Sequence, residues 1–265
     1  MSEATTQIPV VAARPPADFV FSDLRLKARF RTVLYVADLS IPAGGVFGVI
    51  GPTDSGKSSL LRAIVGLENF GDRGLRRSGK IRISGEIRTV RGPLVHSLRR
   101  MCPLIPAHAS VFPSSIRRNF STALAPLELS QTEQDRRISE ALSVTGLSEL
   151  PLNRSALHLA IWERRLLCVA RALALEPTAL LLDEPFKGLD SYECHRMEQL
   201  IAAVGKRATV ILTAQDSSRA SSVCSRLALL SEGQLVEAGT TSKLLSNPTD
   251  PRTEAYLSGR PIKSH

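Results

Sequence analysis

Gly51-Pro52-Thr53-Asp54-Ser55-Gly56-Lys57-Ser58 is the stretch on which the reading of this chain turns. It fits the pattern G-x-x-x-x-G-K-S/T, and its flanks give the pattern meaning. Before it, Val46-Phe47-Gly48-Val49-Ile50 predicts a short buried strand. After it, Ser59 to Leu67 predicts a helix. Strand, glycine loop and helix together aim backbone N–H groups and a helix N-terminus at phosphate oxygens. Lys57 then supplies a point charge at the β- and γ-phosphates, and the Ser58 hydroxyl is a ligand for Mg2+. The expected nucleotide-contacting residues are Gly51, Pro52, Thr53, Asp54, Ser55, Gly56, Lys57, Ser58 and Ser59.

A second apolar run carries acids. Ala179-Leu180-Leu181-Leu182-Asp183-Glu184-Pro185 reads as a buried parallel strand with two carboxylates at its C-terminal end. Ligands gather at that end of an open α/β sheet. Asp183 can hold Mg2+ through water, and Glu184 is placed to orient or deprotonate an attacking water. Glu184 and Lys57 are the expected catalytic residues. Without the phosphate loop 125 positions earlier, the acid pair would read as an ordinary capped surface pair.

The 265 residues suit one large domain, and 43% hydrophobic with 22% charged residues is ordinary for a globular protein. No apolar run approaches the length of a membrane span: Leu166 to Leu182 is broken by Arg171, Glu176 and Pro177. The N-terminus shows no basic region followed by an apolar core, and residues 1–17, with three prolines, are expected to be a flexible tail. Cys102, Cys168, Cys194 and Cys224 are scattered, so reduced packing cysteines in the cytoplasm are expected. The five histidines suggest no metal site.

The net charge of +9 is uneven. Residues 76–165 hold 15 Lys/Arg against 7 Asp/Glu, and the remainder holds 19 against 18. All five Arg-Arg pairs lie in that middle stretch. Nucleic acid, an anionic membrane face and plain solvation are all open readings of this charge.

Along the chain, residues 19–47 alternate apolar and polar and predict an antiparallel β-element, and Lys80 to Ile87 continues the alternation. Residues 114–150 predict helix, with Ser130 and Glu133 as a capping box. Further expectations are a helix over 166–175, one over 191–204, a strand over 208–213, and a hairpin from Leu227 to Gly239.

In this order of elements the chain resembles the ATP-binding subunits of ABC transporters over roughly residues 19–260. Cys168 to Leu173 resembles the helix before the Walker B strand, and Gly188-Leu189-Asp190 the D-loop. The tail from Asn247 to Arg260, with Ser155-Ala156-Leu157 and Phe112-Pro113, is similar to the phosphate-import subfamily. The resemblance implies an α/β P-loop ABC-type nucleotide-binding domain at 18–260, with an antiparallel β-subdomain, a helical subdomain inserted at about 107–165, and a short tail at 261–265. It implies ATP and Mg2+ as cofactors, and transmembrane permease subunits as partners. It also implies pairing with a second copy or with another ABC ATPase, a peripheral place on the cytoplasmic face of the inner membrane, and no nucleic-acid partner.

Departures from the family pattern accompany these matches. The adenine-stacking aromatic maps to Lys27 or Ala28, the Q-loop glutamine near Pro106, and the switch histidine to Ala214. The L-S-G-G-Q signature maps to Leu159-Ala160-Ile161-Trp162-Glu163, with bulk at Ile161 and Trp162 where glycine lets backbones approach. Asp54 replaces a loop glycine. An importer subunit and a catalytically degenerate paralogue that regulates or pairs with an intact ATPase are therefore both expected readings, and a DNA-associated ABC ATPase is a distant third.

Overall fold

The computed structural model describes residues 15–29, 31–67, 74–87, 94–108 and 110–261. The outer parts of the expected tails, 1–14 and 262–265, lie outside the described residues. In chain order the elements are β1 (Phe19–Ala28), β2 (Arg31–Ile41), β3 (Val46–Ile50), α1 (Lys57–Ile64), β4 (Leu75–Ile83), β5 (Glu86–Ile87), α2 (Leu94–Met101), β6 (Leu104–Ile105), α3 (Ile116–Leu124), α4 (Gln131–Thr145), α5 (Ile161–Leu173), β7 (Ala179–Leu182), α6 (Ser191–Gly205), β8 (Thr209–Ala214), α7 (Ser217–Val223), β9 (Arg226–Ser231), β10 (Gln234–Thr240), α8 (Thr241–Ser246) and α9 (Pro251–Leu257).

The strands β3, β7 and β8 are buried along their whole length, which is why their sequences are continuously apolar rather than alternating. Side chains still alternate between the two faces. Leu180, Leu182, Val210 and Leu212 join Ile50, α5 and α6 in one core layer. Ala179, Leu181 and Ile211 join Phe47, Val49 and α1 in the other. Backbone buried on both faces must pair its N–H and C=O groups within the sheet, and β6, β7, β8, β3 and β9 do so as parallel neighbours.

Among the described residues the strands form one sheet in the order β5-β4-β1-β2-β10-β9-β3-β8-β7-β6. The expected antiparallel element is β5-β4-β1-β2. It is continuous with the parallel core through a single pairing, Gln234 with Tyr35. Its alternating apolar residues, Phe19, Phe21, Leu24 and Leu26, enter the same layer as α1.

The expected helical insertion is built from α3, α4 and the N-terminal part of α5. Ser115 caps α3 by accepting from the Arg118 N–H, and Ser130 caps α4 by accepting from the Glu133 N–H. The capping box expected at Ser130 and Glu133 forms only in this half. The Glu133 carboxylate turns instead to Arg136 and Arg137, each at 2.7 Å. Those two arginines also meet Glu176 at 3.0 and 2.9 Å, which bolts α4 to the chain beyond α5. The arginines hold the Glu133 carboxyl at about 2.

Several expected boundaries move. The helix expected over 59–67 runs from Lys57 to Ile64 and stops before Gly66, which takes φ 65°. The helix expected over 166–175 starts earlier, at Ile161. Ala17, placed in the tail by the sequence, is fully buried; it donates to the Thr178 carbonyl, and its own carbonyl accepts from the Thr209 hydroxyl. All four cysteines are buried and none forms a disulfide, and burial pushes the Cys224 thiol up to about 12. Among the described residues no helix is long and apolar enough to cross a membrane.

Leu181, fully buried in the middle of β7, tests the layering. Truncation in Leu181→Ala is expected to cost about 2–5 kcal/mol, read as a lowered urea midpoint with an unchanged denaturant slope.

Candidate functional site

The phosphate loop leaves β3 through Gly51, which sits at φ 150°. A Cβ there would lie 2.0 Å from the Leu230 carbonyl oxygen, so no other residue fits. Gly56 ends the loop at φ 99°, and α1 begins at Lys57. Pro52 and Thr53 are exposed, and Asp54 projects to solvent from φ 59°. Ser55 is different: its hydroxyl is buried without a hydrogen-bond partner. A buried polar atom with no partner costs free energy until something supplies one. Ser59 is half-buried in the first turn of α1.

Lys57 is 5% exposed. Its ammonium donates to the carbonyls of Gly51 and Pro52, at 2.8 and 2.7 Å, and lies 3.7 Å from Glu184. Burial pushes its pKa below the ordinary lysine value, while Glu184 and Asp183 oppose the shift. The cost of holding an ammonium there is offset only in part by two carbonyls and two nearby acids.

The two sequence motifs meet across 125 residues. The Ser58 hydroxyl donates to Asp183 Oδ1 at 2.9 Å, and the Thr213 hydroxyl at the end of β8 donates to the same oxygen at 2.7 Å. Thr213 also accepts from the Glu184 N–H at 2.9 Å. Glu184 itself takes φ 49°, a left-handed backbone that a non-glycine residue adopts only where its surroundings enforce it. Asp183 is buried, and Glu184 is 14% exposed at its side chain.

This donor set fits a nucleotide with a hard divalent cation. The loop offers a cradle no Cβ could enter and an unpartnered hydroxyl for phosphate oxygens. Ser58 and Asp183 offer paired oxygens of the kind Mg2+ prefers.

Two residues at this site were not singled out by the sequence reading. Thr213 is a polar residue closing an apolar strand, which is the signal that could have found it. Tyr256 on α9 accepts from the Gly51 N–H at 3.1 Å and donates to the Gln215 carbonyl. It stands some two hundred positions from the loop, within the tail that resembles the subfamily ending, and that resemblance gives it no role.

The departing positions are placed as follows. Ala214 ends β8 and is buried. Pro106 is exposed and lines a small recess with Arg165, Asp183 and Pro185. Lys27 is exposed on β1. Ile161 is 81% exposed at the start of α5, while Trp162 packs partly buried against the core. Glu163 accepts a hydrogen bond from the Ala160 N–H at 2.8 Å, so it caps its own helix.

Fold and site together define a P-loop nucleotide-binding α/β domain with a helical insertion. Residues 34–187, more than half of the chain, match the family model described as ABC transporter. The chain belongs to the ABC transporter ATP-binding family. It is 33% identical over 261 residues to a phosphate import ATP-binding protein PstB of Mycobacterium intracellulare, covering 95% of this chain and 90% of that one. It is also 33% identical over 236 residues to the phosphate import ATP-binding protein PstB 2 of Mycobacterium tuberculosis, covering 86% and 84%. Among solved structures it is similar to cbiO1 from Clostridium perfringens, described as part of the ABC transporter complex cbiONQ (TM-score 0.78, 20% identity, 90% of this chain and 94% of that one). A second is a bacterial Atm1-family ABC exporter with ATP bound (TM-score 0.75, 20% identity, 96% of this chain and 43% of that one). These two likenesses show the fold.

Thr213→Val keeps the shape of the side chain and removes the hydroxyl that serves both Asp183 and the Glu184 N–H. It is expected to cost about 1–3 kcal/mol of stability and to raise the Mg2+ concentration needed for nucleotide binding. Chemical unfolding and a Mg2+ titration with a fluorescent ATP analogue read the two effects. An unchanged Mg2+ requirement would detach Thr213 from the metal position.

Proposed function

We propose that this chain is the energy-coupling ATP-binding subunit of an ABC importer whose solute is inorganic phosphate. The observation that carries the nucleotide part is the convergence of Lys57, Ser58, Asp183 and Glu184 at the C-terminal ends of β3 and β7. The phosphate assignment rests on relatives described as phosphate import proteins, matched over nearly the whole chain.

Bound Mg-ATP supplies the phosphoryl group that is transferred to water and the metal that neutralises its charge. The rest is the work of this chain's side chains. Lys57 gives up the Gly51 and Pro52 carbonyls and turns its ammonium to phosphate oxygens. Ser58 would hold the cation through its hydroxyl, and Asp183 through a water. Thr213 keeps the Asp183 carboxylate aimed at Ser58, and the same hydroxyl pins the Glu184 peptide. Glu184 is the group that orients the attacking water and takes its proton.

The partners are transmembrane permease subunits and a second ATP-binding subunit, and the place of work is the cytoplasmic face of the inner membrane. ATP binding closes two such subunits on one another, and hydrolysis reopens them. The comparisons lend no support to the degenerate-paralogue alternative. The changes at Trp162, Pro106 and Ala214 bear instead on how fast the chain turns over without its partners.

With purified protein, Mg-ATP is expected to bind at millimolar nucleotide or below, and Lys57→Ala to abolish binding. Glu184→Gln is expected to keep binding and to lower turnover by about 10²-fold or more. Phosphate release assays with and without reconstituted permease read these effects, and radiolabelled phosphate uptake reads the solute. Turnover equal in Lys57→Ala and the parent chain would overturn the catalytic assignment, and uptake of another anion in preference to phosphate would overturn the solute.

A further inference from the structure

The segment from Asn247 to Arg260 resembles a subfamily ending, but its residues suggest no chemistry by themselves. In the structure it is a limb anchored at both ends. At its base Glu237 of β10 accepts from the Thr249 N–H at 2.9 Å, the Thr249 hydroxyl at 2.8 Å and the Asp250 N–H at 3.1 Å. Asp250 then caps α9, accepting from the Arg252 N–H at 2.8 Å, and Pro251 takes the first helical position. Two such constraints at the start of a short helix fix the direction in which it projects.

What α9 projects is Tyr256. Its hydroxyl accepts from the Gly51 N–H and donates to the Gln215 carbonyl. Gly51 opens the phosphate loop. Gln215 follows Ala214, the position at which the family resemblance expects a phosphate-sensing histidine. A single phenol therefore ties the phosphate loop to the loop leaving β8, at a junction where Ala214 offers no polar side chain.

The Gly51 peptide is held from both sides, its N–H by Tyr256 and its carbonyl by the Lys57 ammonium at 2.8 Å. When Lys57 turns to a phosphate, the carbonyl loses its partner. The bond from Tyr256 does not depend on that turn and stays as the fixed point of the loop. Gly51 lies so close to the Leu230 carbonyl that an added Cβ would meet its oxygen at 2.0 Å. Burial pushes the Tyr256 hydroxyl up to about 12, so it keeps its proton and its donor role at neutral pH. Beside this junction lies an open cavity of roughly 660 Å³, lined by Thr53, Asp54, Tyr256 and Arg260 among others.

We propose that Tyr256 is a positioning residue of the nucleotide site: its hydroxyl sets the geometry of the phosphate loop against the loop after β8, so the C-terminal limb is a working part of nucleotide binding. The proposal rests on reading residues 51–58 as the nucleotide loop.

Tyr256→Phe in the full chain keeps the ring and removes only the hydroxyl. Calorimetric titration is expected to show Mg-ATP and Mg-ADP binding about three- to tenfold more weakly than to the parent chain. Amide exchange by NMR is expected to show the Gly51 N–H losing protection in the empty protein. A lower thermal midpoint accompanies any lost buried hydrogen bond, so it does not count for the proposal. A lowered midpoint with unchanged nucleotide affinity would show a purely structural strut and overturn it, as would unchanged Gly51 protection. Thr249→Val loosens the base of the limb without touching the loop and is expected to weaken binding less than Tyr256→Phe. A larger loss than in Tyr256→Phe would place the effect in the limb rather than the hydroxyl and overturn the assignment. Failure of the parent chain itself to bind Mg-ATP would instead overturn the nucleotide-loop reading, and this proposal with it.

Discussion

One carboxylate oxygen organises the site. Asp183 Oδ1 accepts from Ser58 on α1 and from Thr213 on β8 while its own backbone follows directly on β7. Three elements far apart in sequence are thus fixed to one atom, in a buried place where an unpartnered carboxylate would be costly. The hydrogen bond from the Glu184 N–H to the Thr213 hydroxyl extends the cluster by one residue. It helps hold Glu184 in the left-handed backbone that points its side chain toward Lys57. A polar cluster of this kind is stable only when every member is satisfied. The hydroxyl that stands outside it without a partner, Ser55, lies in the loop where a ligand is expected.

Apolar layering on both sides of the parallel strands makes this cluster possible. Alternate residues of β7 and β8 feed two separate cores, so the strands cannot slip by one position without exchanging every side chain between layers. Register fixed in that way places Asp183 beside Thr213, and places the start of α1 at the same sheet edge. The antiparallel strands β5-β4-β1-β2 join this frame through a single pairing at Gln234 and Tyr35, yet share its core through Phe19, Phe21, Leu24 and Leu26. Packing, more than ladder hydrogen bonding, unites the two parts.

Much of this was legible in the residues. The strand before Gly51, the acids after Leu182 and the hairpin from Leu227 to Gly239 each carry a local signal, because an apolar run bounded by glycine or charge has few folded solutions. Boundaries were less legible. The helix after the phosphate loop stops early where Gly66 takes a left-handed turn. Glu133 prefers two arginines to its expected capping role. Ala17 is drawn out of the tail by bonds to Thr178 and Thr209, partners that only the folded sheet brings near. Thr213 and Tyr256 were missed because their value lies wholly in what they touch.

The sequence by itself determined which chemical groups are present: a glycine loop carrying a lysine and a serine, and an acid pair at a strand end. These choices are local, since the spacing of glycines and the polarity of a strand terminus act over a few residues. Tertiary structure alone decided how those pieces meet. It set Ser58 and Thr213 on one oxygen of Asp183, turned Glu163 back onto its own helix, and brought Tyr256 from the far end of the chain to the first amide of the loop. Each of those contacts closes a long stretch of chain, so it can form only after two apolar cores have paid for the ordering.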